Sequence, residues 1–325
     1  MAEHPQSKVA EKTRTLLELV KFEHSIFALP YAYIGALYGA AWFERQVPLF
    51  ELPPQVAAFL SFGPQVVYKG GGYAWPTWWA LLWITVAMVG ARSFAFVVNR
   101  AVDAEIDARN PRTAGRAIPA GRIKRWELWA FALAVLGAYL VAVWQLAPVT
   151  RWLWPVPIAA FVAYPYTKRF TWLCHYWLGL CLGLAPVGAW AAVGAPLADP
   201  APWVLGLAVL FWTAGFDIIY ATQDYECDVR DGIHSAPADF GVARALKQTR
   251  FDHVLTVLLL VIGGYLAGAG AWWFVGVGIA AVLLAYENAI VRADDLSRVN
   301  AAFFTVNGVI AIVVFAGALL DRVWP

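Results

Sequence analysis

Residues 78–107 read WWALLWITVAMVGARSFAFVVNRAVDAEID. The 22 residues from 78 to 99 carry a single charge, that of Arg92. A helix needs about 20 mostly apolar residues to cross the hydrocarbon layer of a bilayer, so this stretch reads as a membrane span. It runs directly into Asn99, Asp103 and Asp107, spaced by four, which on a helix stack on one face. A span that ends in a ladder of carboxylates decides both the fold class and where to look for chemistry.

The rest of the chain repeats the apolar half of that pattern. Of 325 residues, 61% are hydrophobic and 14% charged, against about 45–50% and about 25% in an ordinary soluble domain. A soluble enzyme and a disordered chain are both excluded. Nine apolar stretches emerge, at roughly 22–43, 78–103, 125–147, 152–166, 171–193, 203–227, 248–270, 271–291 and 298–320. They are continuous and too long for barrel strands, which alternate over about ten residues. The expected fold is all-α and integral to the membrane, with nine transmembrane helices forming a single domain over 1–325. A polar tail (1–20), with no cleaved signal sequence expected in it, precedes the first span, and a loop (44–77) rich in proline and carrying Gly70–Gly72 separates the first two. That loop reads as an irregular lid or surface segment.

Basic residues are distributed unevenly between alternate sides of the spans. One side holds 18 Lys and Arg, in the N-terminal tail and in 104–125, 167–170, 228–250 and 292–298; the other holds Arg45, Lys69, Arg151 and Arg322. The positive-inside rule places the N-terminus in the cytoplasm and the C-terminus outside, in the cell (inner or plasma) membrane. The net charge of +2 says little about partners, and no nucleic-acid partner is expected. Tryptophans near span ends, such as Trp78, Trp79 and Trp152, read as interfacial anchors. Cys174, Cys181 and Cys227 have no metal or redox spacing and read as small buried hydrophobes.

The second acidic cluster is 217–231, DIIYATQDYECDVRD. Tyr220, Asp224 and Asp228 share a face, with Asp217 one turn deeper. Like charges at i,i+4 destabilise a helix, and carboxylates near lipid depth are costly. Two such ladders on one side, each followed by a basic loop, need a reason, and a hard divalent cation supplies one. Mg²⁺ takes oxygen ligands and is held by a few carboxylates together with substrate phosphates. Arg112, Arg116, Lys168, Arg169 and Arg230 lie on the same side and suit phosphate oxygens. Arg92, inside the membrane, is a functional candidate by default, or else a partner for a carboxylate such as Asp217 or Glu287. Glu23 and His24 read as interfacial, Glu287, Asn288, Asn300 and Asn307 as interhelical hydrogen bonds, and His175 and His253 have no distinguishing context.

These residues resemble the motifs of the UbiA-type intramembrane prenyltransferases. Asn99-x3-Asp103-x3-Asp107 followed by Asn110-Pro-Arg112-Thr-Ala-Gly-Arg116 is similar to the family's first motif, Asp217-x2-Tyr220-x3-Asp224-x3-Asp228 to its second, and Tyr164-x3-Lys168 to its short Tyr/Lys motif. The resemblance spans roughly 15–320 and implies nine helices around a central cavity, with Mg²⁺-dependent transfer of a polyprenyl group from its diphosphate to an aromatic acid. Asn99, Asp103, Asp107, Asp224 and Asp228 would hold Mg²⁺. Arg112, Arg116, Lys168 and Arg230 would bind the diphosphate, with Tyr164 supporting Lys168. Arg92, Asp217 and Tyr220 would serve the reaction, Arg92 facing the acceptor's carboxylate. The stretch Lys21–Pro30 and the Asn-Pro-Arg loop resemble the 4-hydroxybenzoate polyprenyltransferase-like branch, which points to ubiquinone biosynthesis. Prenylation of a naphthoate precursor on the futalosine route to menaquinone is the alternative acceptor chemistry, because Arg100 stands where the best-known ubiquinone enzymes carry an acidic residue. A cation-coupled transporter is the alternative from another class.

Overall fold

A computed structural model describes residues 27–46, 65–69 and 73–324. The tail 1–20, Glu23, His24, and 47–64 and 70–72 of the loop lie outside the described residues. In chain order, the helices are α1 (Leu29–Gln46), α2 (Trp78–Val102), α3 (Ala104–Arg109), α4 (Arg125–Gln145), α5 (Thr150–Leu153), α6 (Pro155–Thr167), α7 (Cys174–Ala192), α8 (Ala201–Ala221), α9 (Tyr225–Asp231), α10 (Ala236–Phe240), α11 (Val242–Ala267), α12 (Ala271–Ile290) and α13 (Asn307–Val323). A π-helical turn, Ala301–Val306, leads into α13.

Among the described residues, six helical segments are long and apolar enough to cross a membrane: Trp78–Val102, Arg125–Gln145, Ala201–Asp231, Val242–Ala267, Ala271–Ile290 and Ala301–Val323. Each falls on an expected span. The other three expected spans coincide with α1, α6 and α7, which are shorter or more polar. Helix α1 has Glu44, Arg45 and Gln46 in its last turn, α6 is 13 residues long with Pro165 inside it, and α7 holds a buried His175.

The helices close around a cavity. Helix α8 packs between α7 and α11, α1 lies against α7 and α13, and α2 lies against α4 and α6. Small residues permit the closest approaches, as in membrane helix pairs generally. A Cβ on Gly35 of α1 would lie 2.2 Å from the Pro186 carbonyl oxygen of α7, and one on Gly179 would lie 2.3 Å from that of Leu210 in α8. Gly35→Ala therefore forces α1 and α7 apart and destabilises by about 1–3 kcal/mol, read as a lower thermal midpoint in detergent. Gly137→Ala, where nothing lies within 4 Å, leaves that midpoint unchanged or slightly raised.

The core between these helices is aromatic. Phe27, Tyr31, Trp212, Phe216 and Phe303 pack edge to face or tilted, with centroids 5.0–6.4 Å apart. Trp212 Nε1 donates to Asn307 Oδ1 at 2.7 Å, and Asn307 Nδ2 donates to Glu287 Oε1 at 2.6 Å. Asn288 Nδ2 reaches His253 Nδ1 at 2.7 Å. The interhelical hydrogen bonds expected of these residues are present.

The loop 44–77 differs from expectation. Val66–Lys69 and Tyr73–Pro76 form an antiparallel hairpin, β1–β2, with Val66 opposite Pro76 and Lys69 opposite Tyr73. Its physical cause is in the sequence: β-branched and aromatic residues flank a glycine run, a hairpin signature. Glu44 of α1 accepts from both the Ala74 backbone and Arg322, which fastens β2 against α1 and α13.

Candidate active site

Both acidic ladders survive as ladders, although neither lies on an uninterrupted helix. Helix α2 ends at Val102, and Asp103 caps it at φ −88°, ψ 0°. The i→i−4 backbone bonds nevertheless continue, Asp103 N–H to the Asn99 carbonyl at 2.9 Å and Asp107 N–H to the Asp103 carbonyl at 2.7 Å. In the second ladder a 3₁₀ turn, Thr222–Asp224, separates α8 from α9, and Gly232, in the left-handed region at φ 68°, ends α9. Each acidic end is thus a jointed helix terminus opening onto the same cavity.

That cavity measures ≈ 580 Å³. Its lining includes Arg92, Asn99, Asp103, Asp107, Arg112, Arg116, Tyr164, Lys168, Asp217, Tyr220, Asp224 and Asp228. Of the expected site residues, Arg169 and Arg230 lie elsewhere. Arg169 donates to the Val102 carbonyl at 2.9 Å. Arg230 is turned to solvent, where it pairs with Asp231 at 2.9 Å and donates to the Arg109 carbonyl at 3.2 Å. Most of the remaining wall is apolar and includes Ile84, Met88, Leu146, Leu182, Leu197 and Trp203. Cys174 and Cys181 are buried, as expected, but they also line the cavity, whereas Cys227 is only partly buried.

The carboxylates are held by cations from other segments. Lys168 Nζ, at the end of α6, donates to Asp103 Oδ2 at 2.6 Å, and Asn99 Nδ2 donates to the same oxygen at 3.1 Å. Among the described residues no hydrogen bond joins Lys168 to Tyr164, its expected support; its ammonium is held by Asp103. Arg116 Nη1 donates to Asp107 Oδ1 at 2.6 Å, and Arg100 Nη1 lies 3.6 Å from Asp107 Oδ2. Across the cavity, Arg112 forks onto Asp224 through Nε, at 2.9 Å from Oδ1, and Nη2, and donates from Nη1 to the Tyr220 hydroxyl at 3.0 Å. Burial works against the Arg112 charge, but hydrogen bonds and attraction from Asp224 and Tyr220 outweigh it and raise the guanidinium's pKa. Asn110 Nδ2 donates to Asp224 Oδ1 at 2.8 Å, so the loop after the first ladder grips the second. Ser235 Oγ donates to Asp228 Oδ2 at 2.9 Å.

The donor set fits a hard cation. It is all oxygen, from carboxylates and one amide, the chemistry Mg²⁺ takes. Asp103 Oδ1 and Asp107 Oδ2 are buried and make no hydrogen bond, a costly condition that a bound cation relieves. Among the described residues, no three His, Cys, Asp or Glu side chains converge on one point. That suits an ion bound through one or two carboxylates and completed by substrate phosphates. Charge is balanced within the cavity: five acidic side chains (Asp103, Asp107, Asp217, Asp224, Asp228) face five basic ones (Arg92, Arg100, Arg112, Arg116, Lys168).

Arg92 stands apart from these pairs. Among the described residues no carboxylate meets it, and neither Asp217 nor Glu287 is its partner. Its guanidinium carbon lies 5.0 Å from the Phe96 ring centroid, and its buried Nε makes no hydrogen bond. A cation in that state, on a cavity wall, is poised for an anionic group. His175 and Arg100 also line the cavity, although neither is among the site residues expected from the sequence. The signal for His175 was one imidazole at the start of an otherwise apolar helix.

Comparison with known proteins places this architecture. A model of the UbiA prenyltransferase family matches residues 58–309. The 4-hydroxybenzoate octaprenyltransferase of Aromatoleum aromaticum is 30% identical over 270 residues, covering 77% of this chain and 88% of that protein. The protein of the same name from Marinobacter nauticus is 32% identical over 267 residues, covering 76% and 88%. Among solved structures, the apo UbiA homolog of Aeropyrum pernix K1 superposes with a TM-score of 0.74 at 30% identity, covering 92% of this chain and 98% of its own. The fold also matches a UbiA homolog from Archaeoglobus fulgidus bound to GPP and Mg²⁺, with a TM-score of 0.65 at 18% identity, covering 95% and 99%.

Proposed function

The chain belongs to the UbiA prenyltransferase family, and from that premise we propose that it transfers a polyprenyl group from its diphosphate to a 4-hydroxybenzoate-like aromatic acid in quinone biosynthesis. The observation that carries this reading is the convergence of two acidic helix ends on one cavity, each clamped by cations: Asp103 by Lys168 and Asp224 by Arg112. A transporter is disfavoured on the same ground. Transporter sites lie near the bilayer midplane, whereas these carboxylates sit at helix ends among basic loops.

The roles follow from position. Asn99, Asp103 and Asp107 on one side, and Asp224 and Asp228 on the other, would hold Mg²⁺, which when bound supplies positive charge to the diphosphate leaving group. Lys168, Arg112 and Arg116 exchange their carboxylate partners for phosphate oxygens, to which guanidinium and ammonium groups bind strongly. Because the resting cavity is balanced in charge, a diphosphate without its cation would leave negative charge uncompensated, so the two bind together. The apolar wall takes the prenyl chain and excludes water from the reacting carbon.

In the reaction the allylic C–O bond breaks and its electron pair leaves on the diphosphate. A ring carbon of the acceptor forms the new C–C bond, and the proton on that carbon must go to a base. Asp217 lies one turn deeper than Tyr220 and lines the cavity, which suits it to take that proton. The Tyr220 ring packs tilted at 4.2 Å on Phe303 and carries the Arg112 guanidinium carbon 5.2 Å from its centroid, so ring and hydroxyl together position Arg112 beside the reacting groups. Arg92 binds the acceptor's carboxylate. The whole chain, 1–325, acts as one domain with nine spans in the inner membrane, the N-terminus in the cytoplasm and the C-terminus outside.

The test is a product assay on purified protein, with a polyprenyl diphosphate and a panel of acceptors that includes 4-hydroxybenzoate and dihydroxynaphthoates. A prenylated 4-hydroxybenzoate is expected with Mg²⁺, and none after chelation until Mg²⁺ is restored. Product with a naphthoate alone would move the acceptor to the menaquinone route. Turnover that survives chelation would remove the metal from the account.

A further inference from the structure

His175 is the second residue of α7 and 2% exposed. Among the described residues each ring nitrogen has one hydrogen-bond partner of oxygen or nitrogen. The backbone N–H of Ala236 points at Nε2 at 3.1 Å, and Nδ1 lies 2.7 Å from Asp217 Oδ2. A backbone amide can only donate, so Nε2 must be the acceptor and carry no proton. Nδ1 then carries the ring proton and donates it to Asp217. The tautomer is fixed by a main-chain group rather than by a side chain that could turn away.

The backbone that fixes it belongs to the site. Ser235, immediately before Ala236, holds Asp228 Oδ2 and caps α10 with the same hydroxyl. His234 N–H donates to the Lys168 carbonyl at 2.8 Å. The segment 234–236 therefore ties Lys168, Asp228 and, through His175, Asp217 into one frame. Asp217 is engaged on one oxygen only. Its side chain is 19% exposed, and among the described residues Oδ1 makes no hydrogen bond, leaving it open to the cavity.

We infer that His175 is a positioning residue for the transfer reaction: it locks Asp217 with Oδ1 facing the aromatic acceptor, so that the ring proton is lost immediately after the C–C bond forms. The inference rests on the prenyl-transfer reading above. In balance, the ring carbon loses its proton to the Asp217 carboxylate, the C–H pair restores aromaticity, and His175 keeps its own proton throughout. An orienting partner of this kind typically contributes about 10- to 100-fold to activity.

Two variants divide the contacts of the imidazole between them. In His175→Asn the amide nitrogen stands near the position of Nδ1 and keeps the bond to Asp217. In His175→Gln the amide reaches the Ala236 N–H and leaves Asp217 unsupported. Both keep a polar side chain at the start of α7, and thermal midpoints check that both fold. The readout is turnover with 4-hydroxybenzoate and with the same acid deuterated on its ring. Wild type and His175→Asn are expected to show similar kcat and an isotope ratio near unity. His175→Gln is expected to lose about 10- to 100-fold in kcat, with little change in KM for the prenyl diphosphate and an isotope ratio clearly above unity. Equal behaviour of the two variants, or a loss in His175→Gln with the isotope ratio still at unity, would overturn the assignment. Absence of product from the wild type with every acceptor would instead overturn the prenyl-transfer reading itself.

Discussion

Asp103→Ala and Asp224→Ala each abolish turnover, by on the order of 10³-fold or more, since losing several kcal/mol of charge stabilisation on the leaving group costs a decade per 1.4 kcal/mol. The two residues belong to different ladders, 121 positions apart in sequence, yet each anchors one side of the same cavity. Asp103 has one oxygen on Lys168 and Asn99 and one buried and unpartnered. Asp224 has both oxygens occupied by Arg112 and Asn110. Removing either carboxylate takes away a proposed metal ligand and also frees a cation that had been held in place. The fold should tolerate both changes, because Lys168 is 25% and Arg112 32% exposed at the side chain and each can turn to water. The check is product formation beside a thermal midpoint. A retained midpoint with lost turnover is expected, and Asp103→Asn, which keeps an oxygen donor but not the charge, should fall between wild type and alanine.

The second large effect is at Arg92. Arg92→Met keeps the length and apolar stem of the side chain but removes the guanidinium. The KM for the aromatic acid should rise about 10- to 100-fold, the range for hydrogen bonds to a charged group converted to affinity. The KM for the prenyl diphosphate should change little, because Lys168, Arg112 and Arg116 serve that end. An acceptor without its carboxylate should be used equally poorly by wild type and variant. A rise in KM for the prenyl diphosphate instead would place Arg92 on the diphosphate side.

Much of this site was legible in the sequence because its logic is local. Spacing by four put Asn99, Asp103 and Asp107 on one face, and the backbone bonds carry that face across the break at Asp103. The same rule had the means to exclude Arg230. Two residues beyond Asp228, it lies about 200° around the helix, which is where the structure finds it. His175 was not legible, because what defines it is non-local: its partners are 42 and 61 residues away, and no spacing rule connects them. The hairpin at 66–76 was legible but obscured by the prolines around it. Of the nine apolar runs, the three on α1, α6 and α7 carry described helices of 18, 13 and 19 residues. Glu44, Arg45 and Gln46 make the end of α1 polar and His175 the start of α7, while Pro155 and Thr167 bound α6.

The central claim is that the two acidic ladders form one metal–diphosphate site. Its most direct test is a structure with an unreactive prenyl thiodiphosphate and Mn²⁺ in place of Mg²⁺, read by anomalous scattering. Anomalous density is expected in the cavity, bounded by Asp103 and Asp107 on one side and Asp224 and Asp228 on the other. The diphosphate should lie between them, with Lys168, Arg112 and Arg116 moved from carboxylate to phosphate oxygens. A diphosphate bound elsewhere, or metal density away from both ladders, would contradict it.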